Sequence, residues 1–147
     1  MVTNGELYTD GGARGNPGPA GIGGVVNYVN SEGQKVQKEF KEYIGEATNN
    51  QAEYQALLKG LHLAGELGIR ELSVKMDSEL IVKQLRGEYK VKNADLKPLF
   101  AEALKLTNKF ASVTFDHVLR EKNKEADSLV NQALDGEFNG SDFGNYH

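Results

Sequence analysis

Four carboxylates stand where an acid has little structural reason to be. Asp10 follows the short apolar segment Leu7–Thr9, and Asp77 follows the alternating Leu72, Val74 and Met76. Each is expected where the chain leaves a β-strand, a part of α/β sheets that borders ligand sites. Glu53 and Asp127 fall in segments of helical period. With residues wound at ~100° each, Tyr54, Leu57, Leu58, Leu61 and Ala64 form one apolar stripe, and Ala126, Leu129, Val130, Ala133 and Leu134 another; each acid lies about 20° outside its stripe. Taken singly, an acid near a helix N-terminus compensates the helix dipole, worth ~0.3–1 kcal/mol. Taken together, four carboxylates that met would repel one another and need a cation. An oxygen-only set without cysteine or histidine suits Mg²⁺ or Mn²⁺ rather than zinc. Two such ions could activate a water and stabilise a leaving oxygen in phosphodiester cleavage. Spacing makes this convergence possible without establishing it.

The elements that must position these acids follow from the patterning. Three strands come first, over Leu7–Thr9, Ile22–Val29 and Val36–Tyr43. The third carries Lys38, Lys41 and Glu42 and suits a sheet edge. A helix runs from Thr48, a strand spans Leu72 to Met76, and a short helix follows Asp77. Asp95 is the expected N-cap of a helix reaching about Thr107, with Pro98 in its first turn. Val113 and Phe115 mark a last strand, on which His117 continues the alternation, and Asn123 opens a last helix to about Leu134. The order β-β-β-α-β-α-α-β-α predicts an α/β fold: a five-stranded mixed sheet, three antiparallel strands then two parallel additions, flanked by helices on both faces. Residues 1–135 form one expected domain. The Gly/Asn-rich residues 136–147 form an expected flexible tail, in which Phe138, Phe143 and Tyr146 could dock.

The totals narrow the classes. The chain has 147 residues, no cysteine and a net charge of −4. That excludes a disulfide scaffold and a cysteine nucleophile, and it withholds the basic balance that advertises a nucleic-acid binder. A polyanionic substrate would have to be met by a local patch or by metal ions. With no apolar signal core at the start, the cytoplasm is the default compartment, and nothing calls for a membrane or an obligate protein partner, so a monomer is expected. The stretch Leu7–Gly21 (LYTDGGARGNPGPAG) is flanked by strands, unlike a linker, and lacks the Gly-Lys-Ser/Thr of a phosphate loop. It reads as a turn presenting Asp10, with glycines that let a ligand backbone come close.

These motifs resemble, in order and spacing, those of the type 1 ribonuclease H family. Thr9-Asp10-Gly11-Gly12 with Gly15-Asn16-Pro17-Gly18-Pro19 is similar to its opening signature. Thr48-Asn49-Asn50-Gln51-Ala52-Glu53 resembles its T-N-N-x-x-E, Asp77-Ser78 its third motif and Asn123 to Asp127 its N-x-x-A-D. The resemblance covers residues 7 to about 135. It implies a ribonuclease H-like fold and an endonuclease that hydrolyses the RNA strand of an RNA–DNA hybrid, leaving 5′-phosphate and 3′-hydroxyl ends. It implies two Mg²⁺ ions, replaceable by Mn²⁺, held by Asp10, Glu53, Asp77 and Asp127. It implies hybrid contacts at Gly11, Arg14, Asn16, Asn49 and Asn50, a DNA-strand phosphate at Thr48, and Arg120 in place of a loop histidine. For Asn49 and Asn50 the alternative reading is turn and helix capping.

Three departures from the family pattern stand out. Glu79 occupies a position where many relatives carry glutamine, and an anion there is unfavourable to RNA unless it is paired or turned away. The segment Val118–Asn123 is shorter than the relatives' mobile loop; Arg120 there cannot cycle a proton near neutral pH, while Glu121 could assist. A long basic protrusion is missing, and Lys83–Lys97 keeps five cationic residues against two acidic ones, which a solvated helix face explains as well as a hybrid-binding patch. The competing functions are a module that grips hybrid without cutting, a DNA-cutting or exonucleolytic enzyme of the same broad fold, and a reverse-transcriptase fragment. The four intact carboxylates argue against the first, and Asn16, Asn49 and Asn50 against the second.

Overall fold

A computed structural model describes residues 4–138. Ten elements follow one another: β1 (Asn4–Ala13), β2 (Gly18–Val29), β3 (Lys35–Ala47), α1 (Asn49–Glu66), β4 (Glu71–Met76), α2 (Glu79–Leu85), α3 (Lys97–Thr107), β5 (Ser112–His117), a 3₁₀ turn (Arg120–Lys122) and α4 (Lys124–Phe138). They build one five-stranded sheet in the order β3-β2-β1-β4-β5. β1, β2 and β3 pair antiparallel, whereas β4 joins β1 and β5 joins β4 in parallel. The polar β3 lies at an edge, as its composition predicts.

Each face of the sheet receives helices, and small residues decide how closely. On one face α1 lays Tyr54, Leu57, Leu61 and Ala64 over Leu7 and Val26, while Val74, Met76, Ile81, Val82 and Leu106 continue the same buried cluster. On the other face α4 crosses β2 at Gly23. A Cβ there would meet Leu129 Cβ at 2.7 Å and the Ala126 carbonyl oxygen at 2.8 Å, so only glycine lets the α4 backbone settle this low. Among the described residues no helix is long and apolar enough to cross a membrane.

Several boundaries differ from the sequence expectation, each for a local reason. β1 does not stop at Thr9: Gly11 to Ala13 stay paired with Ala20 to Ile22 of β2, so the hairpin continues and Asp10 sits inside the strand. What ends at this level is the other neighbour, since β4 pairs with β1 only up to Thr9–Met76. Asp10 therefore lies where β1 loses one of its two partners, and Asp77 is the next residue of the strand that has just left. Asp95 is not the cap of α3. Leu96 holds the cap position without a side-chain bond, Asn93 braces the preceding turn with its Oδ1 accepting from the Asp95 and Leu96 backbone N–H groups at 2.7 and 3.3 Å, and α3 starts at Lys97 with Pro98 in its first turn. α4 continues through Phe138, past Gly136 where the tail was expected to begin; the proposed docking aromatics Phe143 and Tyr146 lie outside the described residues.

Candidate active site

Asp10, Glu53 and Asp77 converge: one carboxylate oxygen from each lies within 4.8 Å of the others. Three elements bring them there. Register places Asp10 and Asp77 side by side at the diverging ends of β1 and β4. Glu53 arrives on α1, whose start is pinned by a capping box: Thr48 Oγ1 accepts from the Gln51 N–H at 3.1 Å, and Gln51 Oε1 accepts from the Thr48 N–H at 2.8 Å. Gly11 sets the depth of that approach. A Cβ at Gly11 would lie 2.3 Å from the carbonyl carbon and oxygen of Ala52, so the second turn of α1 touches β1 backbone to backbone. The glycine beside Asp10 thus admits the helix that carries Glu53, a different task from the ligand approach read in the sequence. No acid lies in the first turn of α1, so Glu53 is too far along the helix to serve as dipole compensation.

The cluster is electrostatically uncomfortable. Asp10 and Glu53 are each 8% exposed, and Glu53 Oε1 is buried without a hydrogen-bond partner among the described residues. Burial pushes the Asp10 carboxyl up to about 8, with further upward contributions from the Asp77 charge and from a hydrogen bond and charge at Asp127; the Gly11 N–H pulls the other way. Burial also holds Glu53 well above the usual carboxylate range, seconded by Asp10 and Asp77 and opposed by the Gly11 N–H and the Arg120 charge. Asp127, in the first turn of α4, bears on Asp10 through a hydrogen bond and its charge, while the group within 4.8 Å comprises Asp10, Glu53 and Asp77. Buried carboxylates at this separation stay charged only beside a cation. An orphaned carboxylate oxygen in an oxygen-only cluster is what a hard divalent ion requires, so these residues fit Mg²⁺ or Mn²⁺.

The expected substrate residues form a rim at the mouth of the β1–β2 hairpin and the start of α1. Asn16 Oδ1 accepts from the Asn49 backbone N–H at 3.0 Å, and Asn49 Oδ1 accepts from the Ala13 backbone N–H at 2.9 Å. Because backbone N–H groups are the donors, the side-chain oxygens are assigned without ambiguity. Both asparagines thus have a capping and bracing task, and both keep their NH₂ groups uncommitted among the described residues. Asn50 sits beside them in the first turn of α1. Thr48 is the N-cap. Arg14 does not point into the cluster: its guanidinium donates to Asp135 of α4 at 2.7 Å. Arg120 opens the 3₁₀ turn near Glu53, and His117 stays on the strand as the last residue of β5, as the alternation predicts, and is exposed. Glu79 is paired within α2, 3.5 Å from Lys83. Of the five cations in the 83–97 segment, Arg86 also has a partner, Glu88 at 3.4 Å, and residues 86–96 connect α2 to α3 without forming a helix face.

Asn123 is a residue that sequence reasoning missed. Its position at the head of N-x-x-A-D read only as a helix start, yet its side chain reaches Asp77 and the β1 backbone, 1% exposed.

Comparison with known proteins agrees with this geometry. The family model described as "Reverse transcriptase-like" matches residues 8–133. The "Bifunctional protein Rv2228c" of Mycobacterium tuberculosis is 47% identical over 129 residues, covering 88% of this chain and 35% of that protein, so the chain spans about a third of that relative's length. The "Ribonuclease HI" of Halobacterium salinarum is 42% identical over 130 residues, covering 88% of this chain and 64% of that protein. Among solved structures, LC11-RNase H1 in complex with RNA/DNA hybrid superposes with a TM-score of 0.82 at 46% identity, covering 91% of this chain and 99% of that one.

Proposed function

The chain belongs to the type 1 ribonuclease H family, and from that premise we propose that it is an endonuclease that hydrolyses the RNA strand of RNA–DNA hybrids, leaving 5′-phosphate and 3′-hydroxyl ends. The observation that carries this reading is the buried convergence of Asp10, Glu53 and Asp77 with an unpartnered Glu53 oxygen, in a chain similar to one solved with hybrid bound. The catalytic unit we propose runs through α4, acting as a cytoplasmic monomer without a protein partner.

The four carboxylates Asp10, Glu53, Asp77 and Asp127 would hold two Mg²⁺ ions, or Mn²⁺ in their place, and these would supply the Lewis acidity that activates water and offsets charge on the leaving oxygen. The chain's own residues do the rest. The Gly11 N–H favours the charged forms of both Asp10 and Glu53. Arg120 adds a fixed positive charge near Glu53 but has no proton to cycle, so proton transfer falls to water or to the exposed Glu121. Asn16 and Asn49, whose oxygens are committed to the backbone, offer only donors outward. Donors suit the 2′-hydroxyl oxygen and the sugar and base acceptors of an RNA strand in the hybrid's minor groove. Asn50 extends that rim, the Thr48 hydroxyl proton remains for a DNA-strand phosphate, and the pairing of Glu79 with Lys83 offsets the anion that departs from the family pattern. Lys90, Lys92 and Lys97 supply the basic contribution, so hybrid binding should be strongly salt-sensitive.

The test is a panel of labelled substrates: hybrid, duplex DNA, duplex RNA and single strands, each with Mg²⁺, Mn²⁺ or EDTA. Cleavage confined to the RNA of the hybrid, absent in EDTA and abolished by Asp10→Asn, is the expected result. Metal-independent cutting, or full activity of Asp10→Asn, would overturn the reading.

A further inference from the structure

We infer that Asn123 is a positioning residue for the carboxylate cluster, fixing Asp77 and the backbone beside Asp10 in the geometry that receives divalent ions; the inference rests on the ribonuclease reading above. Asn123 Nδ2 donates to the Thr9 carbonyl oxygen at 2.9 Å and to Asp77 Oδ2 at 3.1 Å. Its backbone carbonyl accepts from the Asp127 N–H at 3.1 Å. One residue therefore reaches the carbonyl preceding Asp10, the carboxylate of Asp77 and the helical turn that bears Asp127. A primary amide has two N–H bonds, and both are used.

The choice of an amide is informative. A lysine or arginine would also restrain Asp77, but its charge would neutralise the carboxylate and compete with a metal ion. A hydroxyl has a single proton and could not hold both acceptors. The amide restrains one Asp77 oxygen while leaving the net charge of the cluster intact, as outer partners of metal-binding carboxylates do. Asn123 Oδ1 is meanwhile buried without a partner among the described residues. An apolar side chain of similar size would remove that unsatisfied acceptor but strand the Thr9 carbonyl oxygen; satisfying that carbonyl takes one donor, and the second is spent on Asp77.

Calorimetric titration of Mn²⁺ into the protein, with no nucleic acid present, separates positioning from simple destabilisation. Asn123→Leu keeps the branched shape with a modest gain in volume, removes the orphaned oxygen and deletes both donors; Asn123→Ala deletes them with a cavity. Leu106→Ala, on the buried side of α3, serves as the destabilised control. Both Asn123 variants are expected to bind Mn²⁺ ~10–100-fold more weakly than wild type, with the control unchanged within about twofold. In hybrid cleavage their deficit should shrink at high Mg²⁺ while KM for the hybrid stays near wild type. Wild-type Mn²⁺ affinity in Asn123→Leu, or equal losses in Leu106→Ala, would overturn the positioning role and leave the ribonuclease reading standing. A wild-type protein that binds no Mn²⁺ would overturn both.

Discussion

Asp10 and Glu53 are each 8% exposed, whereas Asn16 and Asn49, carried by the same hairpin and the same helix, are open to solvent. The two regions share their scaffold and differ in what a change costs. In the corner, burial and mutual repulsion raise Asp10 and Glu53, so these two carboxylates are held against their own electrostatics. On the rim, the bonds of Asn16 and Asn49 run between neutral groups in contact with water, where a hydrogen bond contributes only ~0.5–1.5 kcal/mol. Function in the corner should therefore oppose stability, while on the rim the two should be separable.

The largest expected effect breaks the corner. Glu53→Gln should lower kcat at least ~10³-fold, the upper range for loss of one preorganised electrostatic group, measured as hybrid cleavage at saturating Mg²⁺. The companion measurement is stability. In the metal-free protein Asp10 is raised from 3.8 to about 8, so between those values the folded chain binds a proton that the unfolded chain does not. Stability is then fully present below the unfolded value and is lost as the pH climbs through the folded one. In EDTA, Tm should fall between pH 6 and pH 8.5, where ordinary carboxylates are already ionised. Mg²⁺ should narrow that fall, and Asp10→Asn should reduce it, Glu53 still contributing, and raise Tm at pH 8.5 by about 3 °C for each ~1 kcal/mol of repulsion removed. A Tm in EDTA that is flat over this window, or lower in Asp10→Asn, would contradict the account of the corner.

A smaller effect tests how the corner is assembled. Gly11→Ala places a methyl 2.3 Å from the Ala52 backbone, which forces α1 off β1 or bends the strand. Overpacking of this kind costs ~1–3 kcal/mol, read as a lower urea midpoint. Because Glu53 is the next residue on α1, cleavage should fall by ~10–100-fold, well beyond what the stability loss alone would cause at 25 °C. Full activity with the expected destabilisation would mean that Glu53 tolerates displacement.

What the sequence disclosed follows the same division. The convergence of Asp10, Glu53 and Asp77 was legible because each stands at a strand end or at the edge of an apolar stripe, and the mixed sheet because three strands precede the first helix. The true end of β1 was not, since Gly11 to Ala13 have weak strand propensity and are held extended only by pairing with β2. Gly11 was read as room for a ligand because one-dimensional patterning cannot show that α1 returns to that spot. Arg14 was read as a substrate contact, and its pairing with Asp135, 121 residues along the chain, is a brace that local patterning does not reveal. Asn123 escaped because a polar residue before an apolar stripe ordinarily caps a helix, and nothing local reveals that Thr9 and Asp77 meet its amide.

The smallest expected effect sharpens the rim. Asn16→Asp keeps the acceptor that takes the Asn49 N–H, and a carboxylate beside the first turn of α1 is favourable to the helix by ~0.3–1 kcal/mol. It deletes the NH₂ donor and adds a negative charge facing a polyanion. Tm should therefore hold or rise slightly while KM for the hybrid increases about 10-fold, equivalent to ~1.4 kcal/mol, with kcat within about threefold. The charge contribution should fade as salt is raised, and the lost donor should persist, so a residual KM defect at high salt measures the hydrogen bond itself. Asn16→Ala gives the complementary pattern, losing both the brace and the donor: a lower Tm together with a KM defect that salt does not relieve. Identical KM values for wild type and Asn16→Asp at low salt would show that this amide braces the helix and touches no substrate, leaving Asn49 and Asn50 to form the rim.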